Sequence, residues 1–93
     1  MIQSFKDKVT AAVFMGNVVK PLPREMQPLA LRKLKMIDTS AKVVDLRVPP
    51  GNRLEALKGN RKGQHSIRIN DQWRVCFRFV DGNAFDVEIV DYH

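Results

Sequence analysis

Apolar and polar residues alternate along three segments in the second half of the chain. The segments are residues 64–70, 73–80 and 83–93, and Asn-Asp-Gln and Asp-Gly turn residues separate them. Alternation with a period of two is typical of half-buried β-strands. The pattern therefore predicts an antiparallel meander of three strands.

The first half of the chain has a different spacing. Residues 1–5 predict a short first strand, and residues 6–17 carry apolar positions at helical spacing up to a Gly-Asn pair. A second amphipathic helix is predicted from Arg24 to about Ala41, although Pro28 disfavours a helix interior. Prolines and glycines in residues 48–64 indicate a loop. The order predicts an α+β fold, with two N-terminal helices on one face of the sheet.

Strand parity predicts which side chains form the core. A two-residue Asp81-Gly82 turn would set Phe77 opposite Asp86 and split the apolar sets of the last two strands. A three-residue turn over residues 81–83 keeps those sets together, and we expect it for that reason. The predicted pairs are Phe79 with Phe85, Phe77 with Val87, and Val75 with Ile89.

The opposite face of the predicted strands is rich in arginine. The register sets Arg68 opposite Arg74, and like charges repel unless an anion or an acid lies between them. Either a phosphate-sized anion removes this conflict or the two guanidinium groups splay into solvent. Arg78 is expected opposite Asp86 as a structural ion pair, whereas Tyr92 is expected one step from Arg74.

The charge distribution favours a polyanionic partner. The net charge is +6, and residues 1–80 hold all sixteen Lys and Arg but only six acids. Such an excess attracts nucleic acid, although a merely solvated basic surface is the alternative. The loop bases Lys58, Arg61 and Lys62 can overhang the arginine-rich face. Basic side chains beside an aromatic residue suit RNA phosphates and base stacking.

The remaining composition indicates a soluble intracellular protein with one domain over residues 1–93. No run of 18 apolar residues occurs, and the N-terminus has no apolar signal region. The lone Cys76 excludes an internal disulfide and fits a reducing compartment. We interpret Cys76 as a packing residue. His65 follows the apolar parity of its strand and is interpreted as a structural histidine with satisfied hydrogen bonds.

The segment RLEALKGNRKGQHSIRINDQWRVCFRF, followed by a terminal VEIVDYH, resembles the HigB branch of the RelE/ParE toxin superfamily. The resemblance covers Leu46 to His93 and the opening MIQSFKDK, while Thr10 to Asp45 fits loosely. It implies the RelE-like, microbial-RNase-like fold, with two helices on a curved antiparallel sheet. It also implies a bacterial, cytoplasmic toxin of a type II toxin-antitoxin system that inhibits translation and growth.

The resemblance further implies an activity and partners. HigB toxins cut mRNA in the ribosomal A site without a metal or another cofactor. A HigA-type helix-turn-helix antitoxin neutralises them, and operator DNA is bound only through the toxin-antitoxin complex; no membrane is involved. Two alternatives stay open, namely a non-catalytic RNA- or partner-binding module and a gyrase inhibitor similar to the ParE branch.

The family's functional positions carry over residue by residue. The resemblance implies that Lys58, Arg74 and the terminal triplet of residues 91–93 are functional. From the needs of metal-free RNA cleavage, Arg74 and Lys58 are candidate phosphate clamps, Tyr92 can stack on a base or donate its hydroxyl, and Asp91 or His93 is the candidate general base. Some members have a histidine where this chain has Glu55, so the role of this carboxylate stays open. The expected catalytic residues are Lys58, Arg74, Asp91, Tyr92 and His93. The expected RNA-binding residues are Arg53, Arg61, Lys62 and Arg68.

The terminal triplet poses a geometric question. Asp91 and His93 follow the core parity of the last strand, whereas Tyr92 follows Arg74. The three side chains can converge on one site only if the strand twists or frays after Val90.

Overall fold

The computed structural model describes residues 1–92, so the predicted site residue His93 lies outside the described residues. Within residues 1–92, two α-helices precede a four-stranded antiparallel sheet of order β1-β2-β3-β4. The α+β prediction is confirmed. The elements are α1 (Lys8–Phe14), α2 (Gln27–Thr39), β1 (Glu55–Ala56), β2 (His65–Arg68), β3 (Trp73–Val80) and β4 (Asn83–Asp91). Short 3-10 turns cover Arg24–Met26, Val43–Arg47, Pro50–Asn52 and Gly59–Arg61.

Local sequence explains where the helices begin and end. α1 begins after Asp7, whose carboxylate accepts the backbone N–H of Thr10 at 2.7 Å, and ends before Gly16, which has a φ of 89°. α2 is shorter than predicted because a 3-10 turn precedes it, and Pro28 consequently falls in its first turn. A proline is tolerated there because its missing N–H has no intrahelical acceptor.

The core lies between the helices and one face of the sheet. α2 packs on β3 and β4, and α1 packs on α2 and β4. These contacts remove apolar side chains from water, which is the main stabilising contribution to the fold. The least exposed core residues are Val13, Met26, Ala30, Leu34, Ile37, Leu46, Ile67, Val75, Phe77, Ala84 and Val87.

The turn between β3 and β4 has two residues, so the predicted three-residue turn is wrong. Val80 lies directly opposite Asn83. Asp81 and Gly82 have φ values of 50° and 79°, and positive φ at both central positions is typical of a type I′ turn, which favours Asp-Gly. The twist of this turn matches that of the flanking strands.

A β-bulge restores the apolar register that a two-residue turn would otherwise split. The register shifts between Cys76 and Arg78, so that Phe77 faces two residues of β4, of which Asp86 has a φ of 54°. The extra residue reverses the parity of β4. Val87 therefore still points into the core.

The bulge also decides which predicted strand pairs occur. Val75 pairs with Ile89, as predicted, but Phe79 pairs with Ala84 and Phe85 pairs with Arg78. The prediction that Phe79 pairs with Phe85 is therefore wrong, and Phe85 lies on the arginine-rich face. Ala84 takes its place in the core, where it is fully buried.

Both edges of the sheet differ from the prediction. β1 lies in the expected loop and pairs through Glu55–Ala56 with β2. Residues 1–5 make two isolated parallel bridges with β4, Ile2 to Ala84 and Phe5 to Val87, rather than a continuous strand.

Within residues 1–92, no helix is long and apolar enough to cross a membrane.

Candidate functional site

Arg74 is held at one end of the arginine-rich face. Its Nε donates to Ser66 Oγ at 2.8 Å, and its Nη2 donates to the backbone carbonyl of Arg53 at 2.6 Å. The same Nη2 lies 3.5 Å from Glu55 Oε1, and the side chain is only 11% exposed. Two strands and the preceding loop thus fix the guanidinium group before any ligand arrives. Its second terminal nitrogen, Nη1, has no hydrogen-bond acceptor within residues 1–92.

Tyr92 places an aromatic ring against this arginine. The Arg74 Cζ lies 5.4 Å from the centroid of the Tyr92 ring, within the range of a cation–π contact. The backbone N–H of Tyr92 donates to the carbonyl of Gln72 at 2.7 Å, which extends pairing beyond β4. The described end of the chain is therefore tied to the sheet, and Tyr92 as a residue remains 43% exposed.

An open pocket of about 360 Å³ lies beside this arginine–tyrosine pair. Arg68 lies opposite Arg74, as predicted, and each arginine has its own acid: Asp71 pairs with Arg68, and Glu55 with Arg74. The Asp71 side chain is fully exposed, so solvent weakens its hold on Arg68. The pocket is suited to an anion. Its lining residues are Arg53, Arg68, Asn70, Asp71, Arg74 and Tyr92.

Four predicted site residues line this pocket, and the others that the structure describes do not. Asp91 pairs with Trp73 in the sheet, and its carboxylate accepts a hydrogen bond from Gln72 Nε2 at 3.1 Å. Asp91 and Tyr92 therefore diverge, as strand parity indicates. Lys58 and Lys62 are exposed on the loop between β1 and β2.

Arg61 lies over the middle of the arginine-rich face, away from the pocket at the Arg74 end. Its Nη1 donates to Glu88 Oε1 and to Gln64 Oε1, each at 3.1 Å. Cys76 is fully buried on the same face. Burial raises the pKa of the Cys76 thiol, and the positive charge of Arg61 opposes that increase. The middle of the face is thus closed, and the open pocket lies at the Arg74 end.

His65 departs from its predicted role in one respect. Its ring stacks on Phe77, with centroids 6.4 Å apart and an interplanar angle of 25°, so it is a packing residue. However, its buried Nδ1 has no hydrogen-bond partner within residues 1–92, so the expectation of a satisfied histidine is wrong. In the same part of the chain, no group of three or more His, Cys, Asp or Glu side chains is arranged to hold a metal ion.

Sequence reasoning missed three groups around the pocket. Asn70 Oδ1 accepts the backbone N–H groups of Gln72 and Trp73, both at 2.9 Å, and so shapes the turn that borders the pocket. An Asn-Asp pair before a strand is a turn signal that could have indicated this role. Ser66 lies on the same face of the sheet as Arg74, and the alternation along β2 could have predicted this position. The carbonyl of Arg53 carries no signal in the sequence.

Solved structures share this architecture over almost the whole chain. YafQ from Escherichia coli strain BL21(DE3) superposes with a TM-score of 0.61 at 15% identity, covering 99% of this chain and 92% of that one. The YoeB-YefM toxin-antitoxin complex from Staphylococcus aureus gives a TM-score of 0.61 at 21% identity, covering 100% of this chain and 98% of the matched chain. The fold is the RelE-like toxin fold.

Sequence relatives identify the family within this fold. The model of the RelE-like toxin of type II toxin-antitoxin system HigB matches residues 3–93. Toxin HigB-1 of Vibrio cholerae is 41% identical over 87 residues, covering 92% of each chain. Endoribonuclease HigB of Proteus vulgaris is 33% identical over 93 residues, covering all of both chains. The chain belongs to the HigB-like family of type II toxins.

Proposed function

We propose that this toxin is a metal-independent endoribonuclease that cuts mRNA in the ribosomal A site and thereby inhibits translation and growth. The observation that carries the proposal is the open pocket in which Arg74, fixed by the sheet, lies over Tyr92 and beside two further arginines. The relative from Proteus vulgaris is named an endoribonuclease, which supports the same reaction here.

The pocket supplies the electrostatic part of RNA cleavage. Attack of a 2′-hydroxyl, whose proton passes to the general base, on the neighbouring phosphate gives a phosphorane whose negative charge must be stabilised. The P–O5′ bond then breaks, and the 5′-oxygen leaves with a proton from Tyr92 or His93. Arg74 directs its unoccupied Nη1 toward this task, because its other donors are held by Ser66 and Arg53. Arg68 and Arg53 bind the flanking phosphates, and Lys58 clamps RNA from the adjacent loop. Tyr92 stacks on a base or donates its hydroxyl.

The general base is proposed among Glu55, Asp91 and His93. Glu55 lies 3.5 Å from Arg74 Nη2 and is half exposed, although it is not one of the residues that line the pocket. Asp91 lies on the other side of β4 with its carboxylate bonded to Gln72. The contact with Arg74 supports Glu55 as a candidate base, whereas His93 supplies an imidazole, the side chain best suited to move a proton near neutral pH.

The proposed partners follow from the family. A HigA-type helix-turn-helix antitoxin neutralises the toxin in the bacterial cytoplasm, and operator DNA is bound only through that complex. The Staphylococcus aureus neighbour was solved as a heterotetrameric complex of YoeB and YefM, which supports an antitoxin partner here. The ribosome presents the mRNA codon to the open pocket.

The test is to incubate purified toxin with translating ribosomes and with the same mRNA alone, and to map new 5′ ends. We expect cuts at A-site codons only on the ribosome, and undiminished cutting when a chelator selective for transition metals is added with free Mg²⁺ held constant, so that the ribosomes stay intact. Intact RNA in both reactions would contradict the nuclease proposal and favour a binding module. Intact RNA accompanied by DNA damage after induction in cells would instead favour gyrase inhibition.

A further inference from the structure

Asn52 is a fully buried polar residue outside the proposed catalytic set. Its Nδ2 donates to the carbonyls of Leu46 at 3.1 Å and Val48 at 3.4 Å. Its Oδ1 accepts a hydrogen bond from Lys33 Nζ on α2 at 2.5 Å. Because buried amides are costly without partners, this arrangement fixes the loop to the helix in one geometry.

The residue after Asn52 connects this loop to the pocket. Arg53 has a φ of 46° and a ψ of 54°, the left-handed conformation that non-glycine residues seldom adopt. Its N–H donates to the carbonyl of Pro50 at 3.1 Å, and its own carbonyl accepts from Arg74 Nη2 at 2.6 Å. The loop conformation therefore sets the position of an acceptor for the central arginine of the pocket.

Lys33 joins α2 to the same network. Burial lowers the pKa of Lys33, and the positive charges of Arg32 and Arg68 lower it further. Lys33 is thus held close to the basic pocket by its bond to Asn52, although repulsion from Arg68 opposes that placement. A rigid helix behind the loop limits how far the Arg53 carbonyl can move.

We infer that Asn52, anchored by Lys33, is a positioning residue that holds the Arg53 carbonyl against Arg74. The orientation of the Arg74 guanidinium then depends on Asn52, which is fully buried and does not itself contact RNA. The catalytic consequence rests on the proposed function, because it assumes that Arg74 stabilises the transition state. The positional consequence does not, and it can be measured without RNA.

The first test measures the position of Arg74 by NMR in the free toxin. The Arg74 Nη–H signals, which include the donor to the Arg53 carbonyl, are assigned by their loss in Arg74→Lys, and their exchange with water is compared between wild type and Asn52→Asp. Asn52→Asp preserves the size of the side chain but cannot donate to Leu46 and Val48. We expect exchange to accelerate by about tenfold or more as local opening increases. Asn17→Asp, the same change at an exposed asparagine, is the matched control and should leave exchange unchanged.

The second test asks whether Asn52 acts through Arg74 in catalysis. On ribosome-bound mRNA we expect Asn52→Asp to lower kcat by about tenfold with KM changed by less than about twofold, because misorientation affects the transition state. In an Arg74→Ala background, the same substitution should have no further effect. A general structural role would give equal losses in both backgrounds.

The outcomes separate the two proposals. Unchanged Arg74 exchange in folded Asn52→Asp overturns the positioning inference, whether or not the toxin cuts RNA. Accelerated exchange in a toxin that never cuts RNA supports the positioning and contradicts the nuclease. If Asn52→Asp fails to fold, Lys33→Met provides the same measurement, with exposed Lys35→Met as its control; unchanged exchange in Lys33→Met likewise overturns the inference.

Discussion

Arg74 and Arg78 lie four residues apart on the same face of β3, in surroundings that look alike in outline. Arg74 lies over Tyr92 at 5.4 Å, and Arg78 lies over Phe85 at 5.6 Å. Each also has a carboxylate partner. Judged by these contacts alone, the two ends of this face, the Arg74 end and the Arg78 end, would have similar roles.

Burial and neighbouring charge separate the two ends. The Arg74 side chain is 11% exposed and has two further acceptors, whereas that of Arg78 is 47% exposed and bonds to Asp86 at 3.1 Å. Arg53 and Arg68 add positive charge beside Arg74. An arginine that is anchored on one side and surrounded by like charge is prepared for an anion, whereas an exposed ion pair contributes little.

The largest expected effect comes from removing the aromatic partner at the Arg74 end. Truncation after Asp91 deletes Tyr92 and His93, and we expect mRNA cleavage to fall by at least about a thousandfold, since a stacking group and a proton carrier are lost. The fold and antitoxin binding should persist, because β4 ends at Asp91. Phe85→Ala, which removes the ring at the Arg78 end, is the control. Undiminished growth arrest by the truncated toxin would refute the terminal site.

Removing the arginines themselves is the next test. Arg74→Ala should lower the single-turnover cleavage rate by about 10²–10³-fold, because it removes a fixed donor to the developing charge. Arg78→Ala should change the rate by less than about threefold, since it breaks an exposed pair. Thermal melts of both variants establish that they fold. Equal losses of activity would show that the two ends do not differ.

The carboxylates that pair with the two arginines, Glu55 with Arg74 and Asp86 with Arg78, give a third test. If Glu55 is the general base, Glu55→Gln should reduce cleavage by about a hundredfold, because an amide cannot accept the proton of the 2′-hydroxyl. Asp86→Asn removes the carboxylate at the Arg78 end and should leave the rate within about twofold. A Glu55→Gln toxin with full activity would leave Asp91 and His93 as the candidate bases.

Much of the arrangement at the two ends was predictable from strand parity. Arg68 opposite Arg74 and Tyr92 beside Arg74 both follow from alternation along strands joined by short turns. The predicted ion pair of Arg78 with Asp86 also forms, but Arg78 lies opposite Phe85, so the predicted register is wrong there and Asp86 reaches Arg78 from the bulge. Such local constraints are strong because a slip by one residue would exchange the buried and exposed faces.

The predictions that were wrong, and the features that were not predicted, have a different physical origin. The bulge at Asp86 requires a left-handed residue whose cost is offset by the core contacts of Val87, and no local pattern reports that balance. β1 has only two residues, too few to show alternation. The Arg53 carbonyl depends on a loop held by Asn52, which is a tertiary contact rather than a sequence motif.

Cys76 lies midway between Arg74 and Arg78 on the same face of β3. Its titration reports whether water reaches the part of the face between the two arginines. Because burial raises its pKa above the ordinary 9.0, the folded protein holds the thiol proton more tightly than the unfolded chain does. The stabilisation from this protonated thiol is complete below pH 9 and is lost as the pH rises through the folded-state pKa.

Cys76→Ala should be less stable than wild type at pH 7, by about 1 kcal/mol, because packing around the thiol is lost. This difference in stability should shrink above pH 9, because only the wild type loses the stabilisation from the protonated thiol. Denaturant midpoints of both proteins between about pH 7 and 10.5 measure this difference, in which the titration of shared lysines cancels. A constant difference across that range would mean that water reaches the thiol and that the Arg74 end is not isolated from the Arg78 end.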